Sequence, residues 1–233
     1  MIITIGFEGP NRVGKGTQID QLSRLLSSLS IPYLVIRGDG SRPAKGSQGD
    51  PTSLWWDSIN PKLHTLSDPL DWELASCRLV REMIVWRKRV LPRMVKAAKT
   101  GLGVLLVDRS IISRAQIVRE TGSLNLGDLY PQAILRKRKI SAEMVCPDII
   151  FVLTAPVEML LARLDPNDPK YNFRRSLINT KGKWYEDITW LPRHIQERVV
   201  TIESTKTADI VAGEILHQLL SRFPILGNYK TLT

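Results

Sequence analysis

The chain has 233 residues, 43% of them apolar and 24% charged, which excludes a disordered or fibrous protein and suffices for one α/β domain with a sizeable core. Its net charge of +10 favours polyanionic partners: nucleotides, nucleic acid or an anionic surface. Cys77 and Cys146 lack metal-type spacing, and His64, His194 and His217 are scattered. No run is long enough for a signal peptide or a membrane span, so a cytoplasmic, thiol-reducing setting is expected.

Residues 2–7 form a short apolar run, expected to be a buried strand. Glu8-Gly9-Pro10-Asn11-Arg12-Val13-Gly14-Lys15-Gly16-Thr17-Gln18 follows, and then Ile19, Leu22, Leu26 and Leu29 recur at helical spacing. Strand, glycine-rich turn and helix in that order are the setting of a phosphate-binding loop, and Gly9 to Gly14-Lys15 fits G-x-x-x-x-G-K. Loop N–H groups from Gly9 to Thr17 and the positive helix start attract phosphate, and Lys15 reaches the outer phosphates. The position that usually carries a Ser or Thr for magnesium is Gly16. Its hydroxyl comes one residue later, at Thr17, so the metal is expected partly on water or on another carboxylate.

A second buried strand is expected at 33–36, ending at Arg37-Gly38-Asp39-Gly40. Strand carboxyl ends carry the site in parallel sheets, so Arg37 and Asp39 are substrate candidates, although Asp39 also suits a simple turn. Residues 38–70, rich in Gly, Pro and Ser, read as a long functional loop whose Trp55 and Trp56 either stack on a base or fill the core. Residues 71–100 are expected to form a long helix kinked at Pro92, with Leu79, Met83, Trp86, Val90, Met94 and Ala97 as its apolar stripe. Its remaining face is basic, with Glu82 the one acid from Arg78 to Lys99; it is either solvated or meets phosphate.

The third strand, 104–107, runs into Asp108-Arg109-Ser110. Asp108 is a metal-side acid or a helix cap, and Arg109 can clamp a phosphate bidentately. A helix at 113–121, a basic cluster at Arg136 to Lys139, a fourth strand at 149–153 and a helix through Leu164 are expected next. Residues 165–195 carry Arg174, Arg175, Lys181 and Lys183 without clear periodicity and suit a mobile lid over transferring phosphates. A fifth strand at 199–202 precedes a last helix, capped by Thr205 or Thr207 and running through Ile210, Ile215, Leu219 and Leu220. Five buried strands alternating with helices make a doubly wound parallel sheet, read as one domain over 1–233 with the lid at about 165–195.

Phe7-Glu8-Gly9 through Thr17-Gln18, Asp108-Arg109, Ser113-Arg114-Ala115-Gln116 and Pro147-Asp148 before an apolar strand resemble thymidylate kinases. The resemblance implies a sheet ordered 2-3-1-4-5, a lid, a homodimer, and ATP–magnesium-dependent transfer to a nucleoside monophosphate. It places Arg12 where some members keep a loop arginine for the transferred phosphoryl group, and Arg109 where the acceptor's phosphate is held. It puts Asn11 where an acid contacts the sugar, Arg87 or Arg89 near the base-holding arginine, and Arg114 and Ile117 after the Asp-Arg pair. Lys15-Gly16-Thr17-Gln18 looks instead like adenylate kinases. A monophosphate acceptor needs no general base, so Lys15, Arg12, Arg174 and magnesium near Asp108 would act by alignment and charge. The competing reading is transfer to a hydroxyl on a nucleoside, or on a modified base or end of DNA or RNA. Asp39 would then be the base, as in deoxynucleoside kinases, whose Glu-Arg-Ser is similar to Asp108-Arg109-Ser110, and the basic segments would track a polynucleotide.

Overall fold

The computed structural model describes residues 1–37, 83–110, 112–113, 146–168, 171–181 and 185–232, with only the backbone of Arg37, Lys181 and 229–232. Asp39, Arg114 and Ile117, the 38–70 loop with Trp55 and Trp56, Cys77, residues 71–82, most of the 113–121 helix, and the Arg136 to Lys139 cluster lie outside these residues.

The described elements are β1 (Ile2–Glu8), α1 (Lys15–Ser28), β2 (Tyr33–Arg37), a π turn (Trp86–Val90) leading into α2 (Leu91–Ala98), β3 (Gly103–Asp108), β4 (Ile149–Thr154), α3 (Val157–Ala162), α4 (Tyr171–Lys181), α5 (Arg193–Gln196), β5 (Val199–Glu203), α6 (Ala208–Arg222) and a closing 3-10 segment (Pro224–Leu232). The five strands pair in parallel in the order β2-β3-β1-β4-β5, as expected. β1, β3 and β4 are continuous apolar runs because helices cover both faces of the sheet.

Alternation along each strand sorts the core. Ile3, Ile5 and Phe7 of β1, Val104 and Leu106 of β3, and Ile149, Phe151 and Leu153 of β4 pack with Ile19, Leu22 and Leu26 of α1 and Val211, Ile215 and Leu219 of α6. The opposite face is shared by two clusters. Ile150 and Val152 meet Tyr185, Leu191 and Ile195, while Leu105 and Val107 meet Met83, Trp86 and Leu91.

Several expectations shift. The long basic helix does not simply kink at Pro92. It passes through a π turn in which the Leu91 N–H donates to Trp86 O, and Pro92 falls in the first turn of α2. A proline at 92 cannot donate to the carbonyl of Lys88, and the widened turn absorbs that lost bond. The turn advances the buried stripe, so Leu91 is fully buried while Ala97 is exposed. Residues 165–195 are not without regular structure, since α4 spans eleven of them and seats Ile178 in the core. Thr207 is the residue before α6, but its side chain makes no capping bond, and Ile210 is exposed because the buried phase is 211, 215 and 219. The closing segment places Leu226 in the core. Among the described residues no helix is long and apolar enough to cross a membrane.

The register set by the π turn can be checked directly. Leu91→Ala is expected to cost about 2–5 kcal/mol, whereas Ala97→Ser should stay within about 0.5 kcal/mol, both read from urea unfolding midpoints. Equal effects would return the stripe to its unshifted phase.

Candidate active site

The site lies at the carboxyl ends of β1 and β3. Phe7 stands opposite Asp108, and Asp108 stands opposite Arg37 of β2, so three strand ends converge there. After β1 the chain turns through Gly9 and Gly14, at φ 132° and 106°. A Cβ on Gly9 would come within 2.3 Å of Leu153 O, so that position admits only glycine for two reasons, conformation and space. Arg12 also has positive φ, at 66°, as does Arg109, at 62°. Each such backbone costs on the order of 1–3 kcal/mol and persists only where its surroundings hold it.

The holding contacts are present. Arg163, just past α3, donates to Arg12 O at 3.2 Å and to Ser204 O at 2.7 Å. The Ser204 hydroxyl, just past β5, donates to Val13 O at 2.6 Å. The loop is thus pinned from behind by two connections far along the chain. Lys15 is buried, and its Nζ donates to Gly9 O and Pro10 O, both at 2.8 Å, so the ammonium lies against the loop itself. α1 starts at Lys15 with no side-chain cap and no acid in its first turn. A 14-residue helix beginning so presents an uncompensated positive end. The described residues therefore fit a polyphosphate. Thr17 is exposed on that first turn and Asp108 closes β3. Among the described residues no three His, Cys, Asp or Glu gather as a metal group. A magnesium ion shared with phosphates and water needs only one or two side chains, so Thr17 and Asp108 suit it.

The acid–arginine pair faces the same cleft. The Arg109 N–H donates to Phe7 O at 3.0 Å, and its guanidinium donates to Asn11 Oδ1 of the loop at 2.5 Å and to the Tyr185 hydroxyl at 3.3 Å. Asn11, expected at the nucleotide, is here engaged by Arg109. Arg12 and Arg174 also come together, as both donate to Asp168 Oδ2, at 3.1 and 2.9 Å. Arg87 meets an acid of the fold. Its guanidinium is bound to both carboxylate oxygens of Asp148, whose Oδ2 also accepts the Thr4 N–H. Thr4 lies four residues before Glu8, about 13 Å back along the strand, so this contact braces the sheet well behind the loop.

Sequence reasoning missed the group that joins the two halves. Glu8, fully buried, accepts from the Ser110 N–H at 2.7 Å, the Ser110 hydroxyl at 2.6 Å, and both the N–H and hydroxyl of Ser113. Ser113 in turn meets the Tyr185 hydroxyl at 2.9 Å. The one sequence signal was an acid closing an apolar strand. Burial pushes the Glu8 carboxyl above its usual range, against the pull of Ser110, Ser113 and the charge of Arg109. Burial raises the Tyr185 phenol as well, while Arg109 draws it back.

A raised carboxyl binds its proton more tightly in the fold than in the unfolded chain. The stability it contributes is complete below the unfolded value and is lost as pH rises through the raised one. Wild type should therefore lose stability relative to Glu8→Gln as pH climbs above the ordinary glutamate range, read from urea midpoints across a pH series. The reverse slope would mean that the hydrogen bonds outweigh burial.

Comparison with known proteins agrees with this layout. No protein-family model matches the chain. A thymidylate kinase of Fervidobacterium nodosum is 21% identical over 216 residues, covering 91% of this chain and 95% of that protein. The structure of a thymidylate kinase from Candida albicans, described as having broad substrate specificity, is similar with a TM-score of 0.58 at 19% identity, covering 94% of this chain and 91% of that one. The chain is thus similar to thymidylate kinases over nearly its whole length and shares their fold, with a five-stranded parallel sheet.

Proposed function

We propose that the protein is a nucleoside monophosphate kinase that moves the terminal phosphoryl group of ATP to the phosphate of a (deoxy)nucleoside monophosphate. The observation that carries this reading is the Arg109 guanidinium on Asn11. It brings the side chain expected to hold the acceptor's phosphate directly against the glycine-rich loop. Residues 9–17 cradle the donor, with Lys15 as mobile point charge. Arg109 holds the acceptor phosphate as a bidentate fork, aided by Arg37 from the neighbouring strand end. Arg12 and Arg174 neutralise charge on the group in transit. Magnesium, when bound near Thr17 and Asp108, supplies further neutralisation. An ionised acceptor phosphate has no proton to lose, which suits a site whose buried acid, Glu8, is already occupied by serine donors. The whole chain serves as one kinase domain with 165–195 over the phosphates, and family likeness favours a homodimer in the cytoplasm.

A second reading is favoured by one surface. Lys88, Arg89, Arg93, Lys96 and Lys99 are exposed along the π turn and α2, with no acid among residues 83–99. Arg89, Arg93 and Lys96 share one side of the helix, about 10 Å long, which suits a polynucleotide backbone. The acceptor would then be a hydroxyl on DNA or RNA, with Asp39 as base.

Labelled ATP with magnesium, offered monophosphates, nucleosides and hydroxylated DNA side by side, tests both readings. We expect transfer to monophosphates. Lys15→Met should lower kcat by about 100-fold or more, and Arg109→Lys should raise the acceptor KM by about tenfold or more. Transfer confined to hydroxyl acceptors, lost in Asp39→Asn, would replace the first reading by the second.

A further inference from the structure

Asp168 is an acid inside a strongly cationic neighbourhood, and the chemistry above gives it no task. Its Oδ2 accepts Arg12 at 3.1 Å and Arg174 at 2.9 Å. The two guanidinium groups reach it from different parts of the fold, one from the phosphate loop and one from the first turn of α4. We infer that Asp168 is a positioning residue that gathers Arg12 and Arg174 into one preformed cationic pair beside the phosphate loop. The inference rests on the kinase reading and deepens it.

The physical case has three parts. First, Asp168 is itself held. Its N–H donates to Asp165 O at 3.0 Å, its carbonyl accepts the Tyr171 N–H at 2.8 Å, and the Asp165 carboxylate accepts the Asn167 N–H at 2.9 Å. A closed turn therefore sets the carboxylate at the entrance to α4. Secondly, two guanidinium groups sharing one oxygen would repel each other without the charge between them. Each arginine carries about 2 kcal/mol of rotamer freedom, which would otherwise be lost at the moment of reaction. Thirdly, each bond uses one of a guanidinium's five N–H donors, so most remain for phosphoryl oxygens. Arg12 is further fixed by Arg163 on its carbonyl. The carboxylate thus links the loop to α4, so that the two cations are placed together.

The alternative is an ordinary partly exposed ion pair, which adds little to stability and nothing to catalysis. The two roles separate in kinetics. We expect Asp168→Asn to lower kcat by about 10- to 100-fold while the KM for ATP changes by less than about threefold, since misplacement acts on the group in transit. Asp168→Glu should recover part of the loss. In an Arg12→Lys, Arg174→Lys background the same Asp168→Asn change should do little more, because its effect runs through those side chains. Thermal unfolding with and without saturating ATP–magnesium confirms that each variant folds and binds the nucleotide. Wild-type kcat in Asp168→Asn, or a loss of the same size in the double-lysine background, overturns the inference while leaving the kinase intact. A folded wild type that transfers to no acceptor overturns the kinase reading and this one together.

Discussion

One buried carboxylate decides how the cleft is built. Glu8 ends the central strand, where burial disfavours its charge, and four donors from Ser110 and Ser113 offset that cost. Those serines follow Asp108-Arg109 at the end of the neighbouring strand. Satisfying Glu8 therefore draws the turn after β3 over the end of β1 and forces Arg109 into a left-handed backbone. In that conformation the guanidinium reaches Asn11. The phosphate loop and the arginine opposite it are thus parts of one hydrogen-bonded unit, and the parallel register of Phe7 against Asp108 fixes their separation.

The sheet was legible because central parallel strands must be apolar on both faces, and 2–7, 104–107 and 149–153 are almost continuous runs. The loop was legible because its glycines and lysine are neighbours in sequence. Legibility failed where the partner is remote. Glu8 meets Ser110, Arg87 meets Asp148, and Arg12 meets Asp168, each across more than fifty residues. No periodicity encodes such pairs. Counting along a helix also could not foresee the π turn at Trp86–Val90, which shifts the helical phase before α2 begins. The Ile210 expectation failed differently: several phases of α6 are apolar, and only contact with α1 selects 211, 215 and 219.

Gly16 shows how far a motif can vary within a fixed frame. A Cβ there would meet nothing within 4 Å, so packing does not exclude a hydroxyl-bearing residue. The glycine is also on the first turn of α1, where its lack of a side chain costs about 1 kcal/mol of helix stability at most. The nearest hydroxyl of this turn then stands one residue later, at Thr17, which is exposed. The loop's conformation does not depend on position 16: it rests on Gly9, Gly14 and the pins from Arg163 and Ser204.

Glu8 and Asp168 show how burial assigns different work to two acids in one site. Glu8 is sealed, met by hydroxyl and amide donors, and favoured towards neutrality, so it joins elements that do not need to separate. Asp168 is partly exposed and meets two full positive charges. Each bond occupies one donor of a guanidinium, so the carboxylate keeps two long side chains in place and leaves their other N–H groups available. An exposed carboxylate at 8 would leave the strand ends free to splay. One carboxylate joins the frame of the cleft and the other places its cations, and the depth of each suits that work.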